Sequence, residues 1–171
     1  MNVRRTESQA ASLRAIWTRD LLDSQPELEC EELVQLAAAI CGTPIGLLTL
    51  LDERHQWYRA SEHLKLGETP REAAFCAHSI RENALFLVKD ALMDARFNTN
   101  PLVTSDPAIR FFAGVALFTS DGEPLGTLCV VDMTPRILAA EQASALEVLG
   151  RQVSVRLEAI VQRKALAEAM A

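Results

Sequence analysis

The stretch Phe111-Phe112-Ala113-Gly114-Val115-Ala116-Leu117-Phe118-Thr119-Ser120-Asp121-Gly122-Glu123-Pro124-Leu125-Gly126-Thr127-Leu128-Cys129-Val130-Val131-Asp132 decides the fold. Two apolar runs flank Asp121-Gly122, the signature of a β-hairpin. Both faces of both runs are largely apolar, so the sheet they belong to is covered on both sides. Taking Asp121-Gly122 as a two-residue turn sets Ser120 opposite Glu123, and directly opposite residues share a face. One face then carries Phe111, Ala113, Val115, Leu117, Gly126, Leu128, Val130 and Asp132, whose bulky aliphatics suit packing under long helices. The other carries Phe112, Gly114, Ala116, Phe118, Leu125, Thr127, Cys129 and Val131, with small or weakly polar side chains at its centre. That second face is predicted to be the floor of a ligand pocket roofed by the middle of the chain. The alternative is a filled core, with roof side chains such as Phe75 and Phe97 occupying the same volume.

Outward from the hairpin, the chain alternates short strands with turn-rich links. Residues 4–22 form a predicted amphipathic helix, with Ala10, Leu13, Ile16, Trp17 and Leu21 at helical spacing. A second helix starts near Pro26 and runs to about Cys41, where Gly42 and Pro44 stop it. Ile45–Leu51 is a buried strand, and 56–60 is a shorter strand paired with it. Residues 64–74 are polar and predict a loop, 76–83 a short helix, and 85–88 a third strand. The long connection 89–109 is rich in turn formers but carries Leu92, Phe97, Leu102, Val103 and Ile109, which predict one-turn helices packed on the body. Pro135 closes the hairpin, and a long helix runs from about Leu138 to the C-terminus, with Leu146, Leu149, Val153, Leu157 and Ile160 as a stripe for the sheet or for a second chain. The predicted class is α+β: an antiparallel sheet, the terminal helices on one face, and the loop-rich middle on the other. The organisation is an N-terminal helix at 1–22, a domain core at 23–137 and a C-terminal helix at 138–171.

Composition restricts the function. The 171 residues are 49% hydrophobic and 23% charged, as in a globular domain. A net charge of −6 disfavours nucleic acid and anionic membrane as partners. No apolar run approaches the roughly 20 residues that span a bilayer, and the first residues lack the apolar core of a secretory signal. A cytoplasmic location is therefore expected. The four cysteines, Cys30, Cys41, Cys76 and Cys129, form no C-x-x-C pair and are expected to be reduced thiols, Cys30 and Cys41 as small buried hydrophobes.

The chain resembles a known family at Leu51-Asp52-Glu53 with Gln56-Trp57-Tyr58, Glu68-Thr69-Pro70-Arg71, Phe75-Cys76-Ala77-His78 and Asp94-Ala95-Arg96-Phe97. The resemblance continues through Asn100-Pro101-Leu102-Val103, Ile109-Arg110-Phe111-Phe112-Ala113-Gly114, Asp121-Gly122, Leu125-Gly126-Thr127-Leu128-Cys129-Val130-Val131-Asp132 and Pro135-Arg136. Together these are similar to a bacterial GAF domain of the type found beside sensor histidine kinases and diguanylate cyclases, over about residues 20 to 160. The resemblance implies an antiparallel sheet of five or six strands, a small-molecule pocket on the face away from the terminal helices, and a sensory or regulatory role in a homodimer joined through those helices. A histidine kinase or diguanylate cyclase is the implied output partner. The Asn-Lys-Phe-Asp-Glu signature of cyclic-nucleotide-binding GAF domains is absent, and no cysteine lies in a bilin-attachment context, so neither cyclic nucleotide nor bilin is expected. With no output segment after the domain, the chain either stands alone or is the sensory part of a longer one.

The candidate ligand-binding residues are Phe75, Cys76, His78, Arg110, Phe112, Gly114, Thr127 and Cys129. Arg110 suits a carboxylate or phosphate through its planar fork, whereas Arg71 and Arg96 have aspartates close in sequence and are expected to form structural ion pairs. A helix start lowers a thiol pKa, so a Cys76 nucleophile with Cys129 as resolving thiol, like that of enzymes reducing free methionine sulfoxide, is the alternative function. A ligand-free dimerisation scaffold is the third. No catalytic residue is assigned, and metal-ligand spacing is missing.

Overall fold

The computed structural model describes residues 26–51, 55–59, 68–70, 75, 78–79 and 85–171. Its elements run α1 (Pro26–Cys41), β1 (Ile45–Leu51), β2 (His55–Arg59), β3 (Glu68–Pro70), β4 (Phe86–Val88), a 3-10 turn (Ala91–Met93), the one-turn helix α2 (Pro101–Thr104), β5 (Phe111–Phe118), β6 (Pro124–Asp132) and α3 (Ala140–Ala169). The strands form one six-stranded sheet in the order β3-β2-β1-β6-β5-β4. Every pairing is antiparallel. The predicted α+β class, with the chain's long helices on one sheet face and short elements on the other, is the observed architecture. The predicted helix at 4–22 lies outside the described residues.

The central hairpin keeps the expected register from Phe111↔Asp132 to Leu117↔Gly126 and then slips, with Phe118 facing Pro124. The turn is one residue longer than the two-residue form predicted. Thr119 N–H donates to the Glu123 carbonyl at 2.9 Å, and Gly122 N–H to the Thr119 carbonyl at 2.9 Å. The loop is thus Ser120–Gly122, closed by Gly122 at φ +84, a conformation that costs glycine nothing. The extra residue moves Leu125 to the other side of the sheet. It packs among the helix-facing side chains, not on the predicted pocket floor.

Two further expectations change. The polar 64–74 segment, predicted as a loop, contains β3, whose pairing His55↔Pro70 to Trp57↔Glu68 adds a sixth strand at the sheet's edge. A proline is tolerated there because an edge strand needs only one ladder. Strand β2 spans His55–Arg59, one residue earlier than 56–60.

The helix-side core joins Cys30, Val34, Ala37 and Cys41 of α1 to Phe111, Val115, Leu117, Leu128 and Val130 of the hairpin and to Leu146, Val153, Leu157 and Ile160 of α3. The five hairpin residues expected to meet the long helices all do so. Gln142 fastens the two helices at one end. Its Oε1 accepts from the Ala139 N–H at 2.9 Å at the start of α3, and its Nε2 donates to the Ile40 carbonyl at 3.0 Å in the last turn of α1. The turn of the hairpin is held to α3 by Ser120, whose hydroxyl and N–H donate to the Glu158 carboxylate at 2.6 and 3.1 Å. No helix among the described residues is long and apolar enough to cross a membrane.

Candidate functional site

The opposite sheet face is built in rungs that run across four strands. The first is Ile45, Val131, Phe112 and Val88; the second is Leu47, Cys129, Gly114 and Phe86. The third, Thr49, Thr127 and Ala116, is small and hydroxylated. The connection before β5 covers the apolar end with Ala91, Phe97, Val103 and Ile109. That connection forms one-turn elements because each has a side-chain cap. The Asp90 carboxylate accepts from the Leu92 N–H at 3.1 Å, and the Asn100 Oδ1 from the Leu102 N–H at 2.9 Å. Such caps satisfy N–H groups that a short helix leaves open.

A group of rings fills the centre of this layer. Phe75 stacks on Phe97 with centroids 4.3 Å apart and on Phe112 at 5.2 Å. His78 lies along Phe86 at 5.6 Å and meets Phe97 edge-on at 5.0 Å. Offset and edge contacts of this kind each contribute about 0.5–1.5 kcal/mol beyond burial. At Gly114 a Cβ would lie 2.9 Å from the Phe112 ring and 3.0 Å from the Ser79 hydroxyl. The space above Gly114 is thus taken by that ring and that hydroxyl, and the rings Phe75 and Phe97 occupy the volume that the filled-core alternative assigned to them.

Phe75, His78, Phe112, Gly114 and Cys129 of the sequence-predicted set converge in this compartment, and Thr127 lies on the adjoining rung. Cys129 is fully buried, with its thiol 3.7 Å from the Leu47 carbonyl. Arg110 stands apart: its Nη1 donates to the Val103 and Ile109 carbonyls at 2.9 and 3.1 Å, bracing the cover over the sheet. Cys76 and Arg71 lie outside the described residues. Arg96 forms the expected ion pair, bidentate to Asp94 at 2.9 and 2.7 Å. Its guanidinium also lies 5.0 Å from the Phe86 ring centre. The hydrogen bond from Arg96 holds the Asp94 carboxyl below its ordinary pKa, with a lesser pull from the charge of His78.

Sequence reasoning missed Ser79 and Phe86. Phe75, His78 and Ser79 are all helical, and positions three and four apart share a helix face. That spacing is the signal that would have found Ser79. Ser79 and Thr127 are both fully buried, and neither hydroxyl has a hydrogen-bond partner. Their neighbours differ: Thr49 is also fully buried, but its hydroxyl donates to the Thr127 carbonyl at 3.3 Å. Among the described residues, no three His, Cys, Asp or Glu side chains are grouped to hold a metal ion.

A GAF domain family model matches residues 25–157. A cyclic di-GMP phosphodiesterase of Pseudomonas aeruginosa is 41% identical over 141 residues, which are 82% of this chain and 24% of that relative. The chain thus spans about a quarter of the length of the curated relative it matches. Among solved structures, the GAF domain of a phosphoenolpyruvate-protein phosphotransferase from Coxiella burnetii superposes with a TM-score of 0.68 at 14% identity, covering 91% of this chain and 98% of that one. A free methionine-R-sulfoxide reductase from Neisseria meningitidis, in complex with its substrate, superposes with a TM-score of 0.66 at 16% identity, covering 95% and 96%. At such identities the two structures speak for the fold alone. The matched family, the antiparallel sheet between two cores and the terminal-helix layer agree, and this chain belongs to the GAF domain family.

Proposed function

We propose that this chain is a sensory module of bacterial signal transduction, located in the cytoplasm, that binds a small molecule between the sheet and the segment from Phe75 to Arg110. Binding biases the packing of the terminal helices in a homodimer, and an output module responds. The observation that carries this reading is the asymmetry of the two cores. Long helices cover one face, while the other holds aromatic rings, an imidazole and two unpartnered buried hydroxyls. Mostly apolar, aromatic surroundings with a few placed polar groups are the usual lining of small-molecule sites. The name of the Pseudomonas relative supports an output that handles cyclic di-GMP, a diguanylate cyclase or its phosphodiesterase counterpart, ahead of a histidine kinase.

In this reading the chain regulates and does not itself catalyse. The thiol-enzyme alternative gains nothing from Cys129, which is fully buried in the strand ladder. Native mass spectrometry of the purified protein tests ligand binding: a stoichiometric co-purified small molecule is expected, and a protein that is bare from several expression hosts counts against it. Light scattering after size exclusion tests the assembly, where a dimer is expected and a monomer at high concentration removes the helix-coupled mechanism.

A further inference from the structure

We propose that Ser79 and Thr127 are the hydrogen-bonding residues of the ligand compartment, and that they select an uncharged polar group, such as an amide or hydroxyl, on a small apolar body. The proposal rests on the ligand-binding reading above and adds the chemistry of what is bound.

Its basis is an imbalance of donors and acceptors. Buried polar groups in folded proteins are nearly always paired, because a hydroxyl removed from water without a partner destabilises the fold. Here two hydroxyls at full burial lack one. They border the same part of the sheet. The Ser79 Oγ lies 3.0 Å from the Cβ position of Gly114. Gly114 pairs with Cys129, and Thr127 lies two residues along the same strand, opposite Ala116. The other polar side chains of the layer already have partners: Thr49 on the Thr127 carbonyl and Arg110 on the Val103 and Ile109 carbonyls. Arg96 is held by the Asp94 carboxylate, and the charge of His78 acts on that same carboxylate.

What remains for a ligand is one pair of neutral groups, each able to donate and to accept, beside a surface of rings. An ionised group placed there would need a counter-charge, since burying it unpaired is far more costly than burying an amide. The described cations that border the compartment are committed to other partners. A neutral group with both donor and acceptor atoms completes the hydrogen bonding of both hydroxyls.

The test uses the full chain, with Ser79→Ala and Thr127→Val as variants and benzamide, benzoate, benzylammonium and toluene as probes, followed by protein NMR. Benzamide is expected to bind, and each variant to bind it about tenfold more weakly, the loss of one buried hydrogen bond. Without any probe both variants are expected to melt about 2–4 °C higher than the parent, because an apolar group replaces an unsatisfied hydroxyl. Tighter binding of benzoate or benzylammonium, equal binding of toluene, or no binding of benzamide would overturn the proposal. So would variants that melt lower while binding unchanged, since that is the behaviour of merely structural hydroxyls. Native mass spectrometry of the same three proteins separates the two levels of failure. A co-purified molecule retained equally by parent and variants overturns the role of the hydroxyls and leaves ligand binding standing. If no molecule and no probe binds any form, the ligand-binding reading itself falls.

Discussion

The two faces of the sheet are built from the same strands and pack by different rules. Toward the helices, Leu48, Leu50, Leu128 and Val130 meet Leu146, Val153 and Leu157 in a continuous aliphatic layer. On the other side the same strands contribute Thr49, Thr127, Cys129 and Gly114, and the covering segment answers with rings and hydroxyls. Aliphatic interdigitation gains stability from every methylene. The aromatic side leaves polar atoms without partners, which no contribution to stability explains. The difference separates a face packed with aliphatic side chains from one that mixes rings with polar side chains.

Substitutions can break that division, beginning with the strand that serves both sides. At Gly126 a Cβ would stand 1.8 Å from the Thr49 carbonyl oxygen. The obstacle is backbone, so Gly126→Val must separate β1 from β6. A loss above about 4 kcal/mol is expected, measured by urea unfolding, and a loss below 1 kcal/mol would show that the strands yield more easily than the geometry allows. Leu157→Ala empties a fully buried position on the helix side alone. It should cost about 2–5 kcal/mol yet leave the NMR shifts of the Phe86 and Phe97 rings in place; large ring shifts would mean that the two cores are not separable. Glu158→Gln weakens the exposed tie from Ser120 to α3. About 0.5–1 kcal/mol is expected, together with faster amide exchange at Ser120 as the more direct measurement.

The smallest effect is expected at Asp94, on the aromatic side. Its pKa is lowered in the folded protein, chiefly by the hydrogen bond from Arg96. The stabilisation it supplies is therefore complete above the ordinary aspartate value of about 3.9 and is lost as pH falls through the depressed folded value. Asp94→Asn should be slightly less stable than the parent at neutral pH, and the two melting curves should converge in acid. A constant gap at every pH would assign the loss to packing instead of charge.

Much of this was legible in the sequence because hydrophobic period and turn chemistry are local. The pairing of Gly114 with Cys129 and of Ala116 with Thr127 follows from counting outward from Asp121-Gly122, even though the true loop has three residues. The added residue alters only the end of the hairpin, where Phe118 faces Pro124 and Leu125 changes sides. Strand β3 was invisible because Glu68-Thr69-Pro70 is too short to show a period, has β propensity only at Thr69, and is held by pairing with β2. The site was harder still. Small residues at Gly114 and Ala116 suggested open volume, but the fate of that volume depends on where Phe112 turns its ring and on what a remote helix brings in. Ser79 carries no such mark in sequence, since a lone serine on a helix resembles a solvent-facing one until its burial is known.

Helix α3 crosses the sheet closely at Gly150, where a Cβ would stand 2.5 Å from the Val115 side chain. Its last buried residue is Val161, and it continues to Ala169. At 1.5 Å per residue, Ala169 lies about 28 Å from Gly150. Past Gly150 the helix is still held, by Leu157 and Ile160 in the core and by the Ser120–Glu158 hydrogen bonds, so any tilt carries the hairpin turn with it. A tilt of about 5° about Gly150 displaces the far tip by about 2.5 Å. Val115 and Gly114 are adjacent on one strand and point to opposite faces, so an event at the aromatic compartment has only the thickness of a single strand to cross before it reaches that crossing.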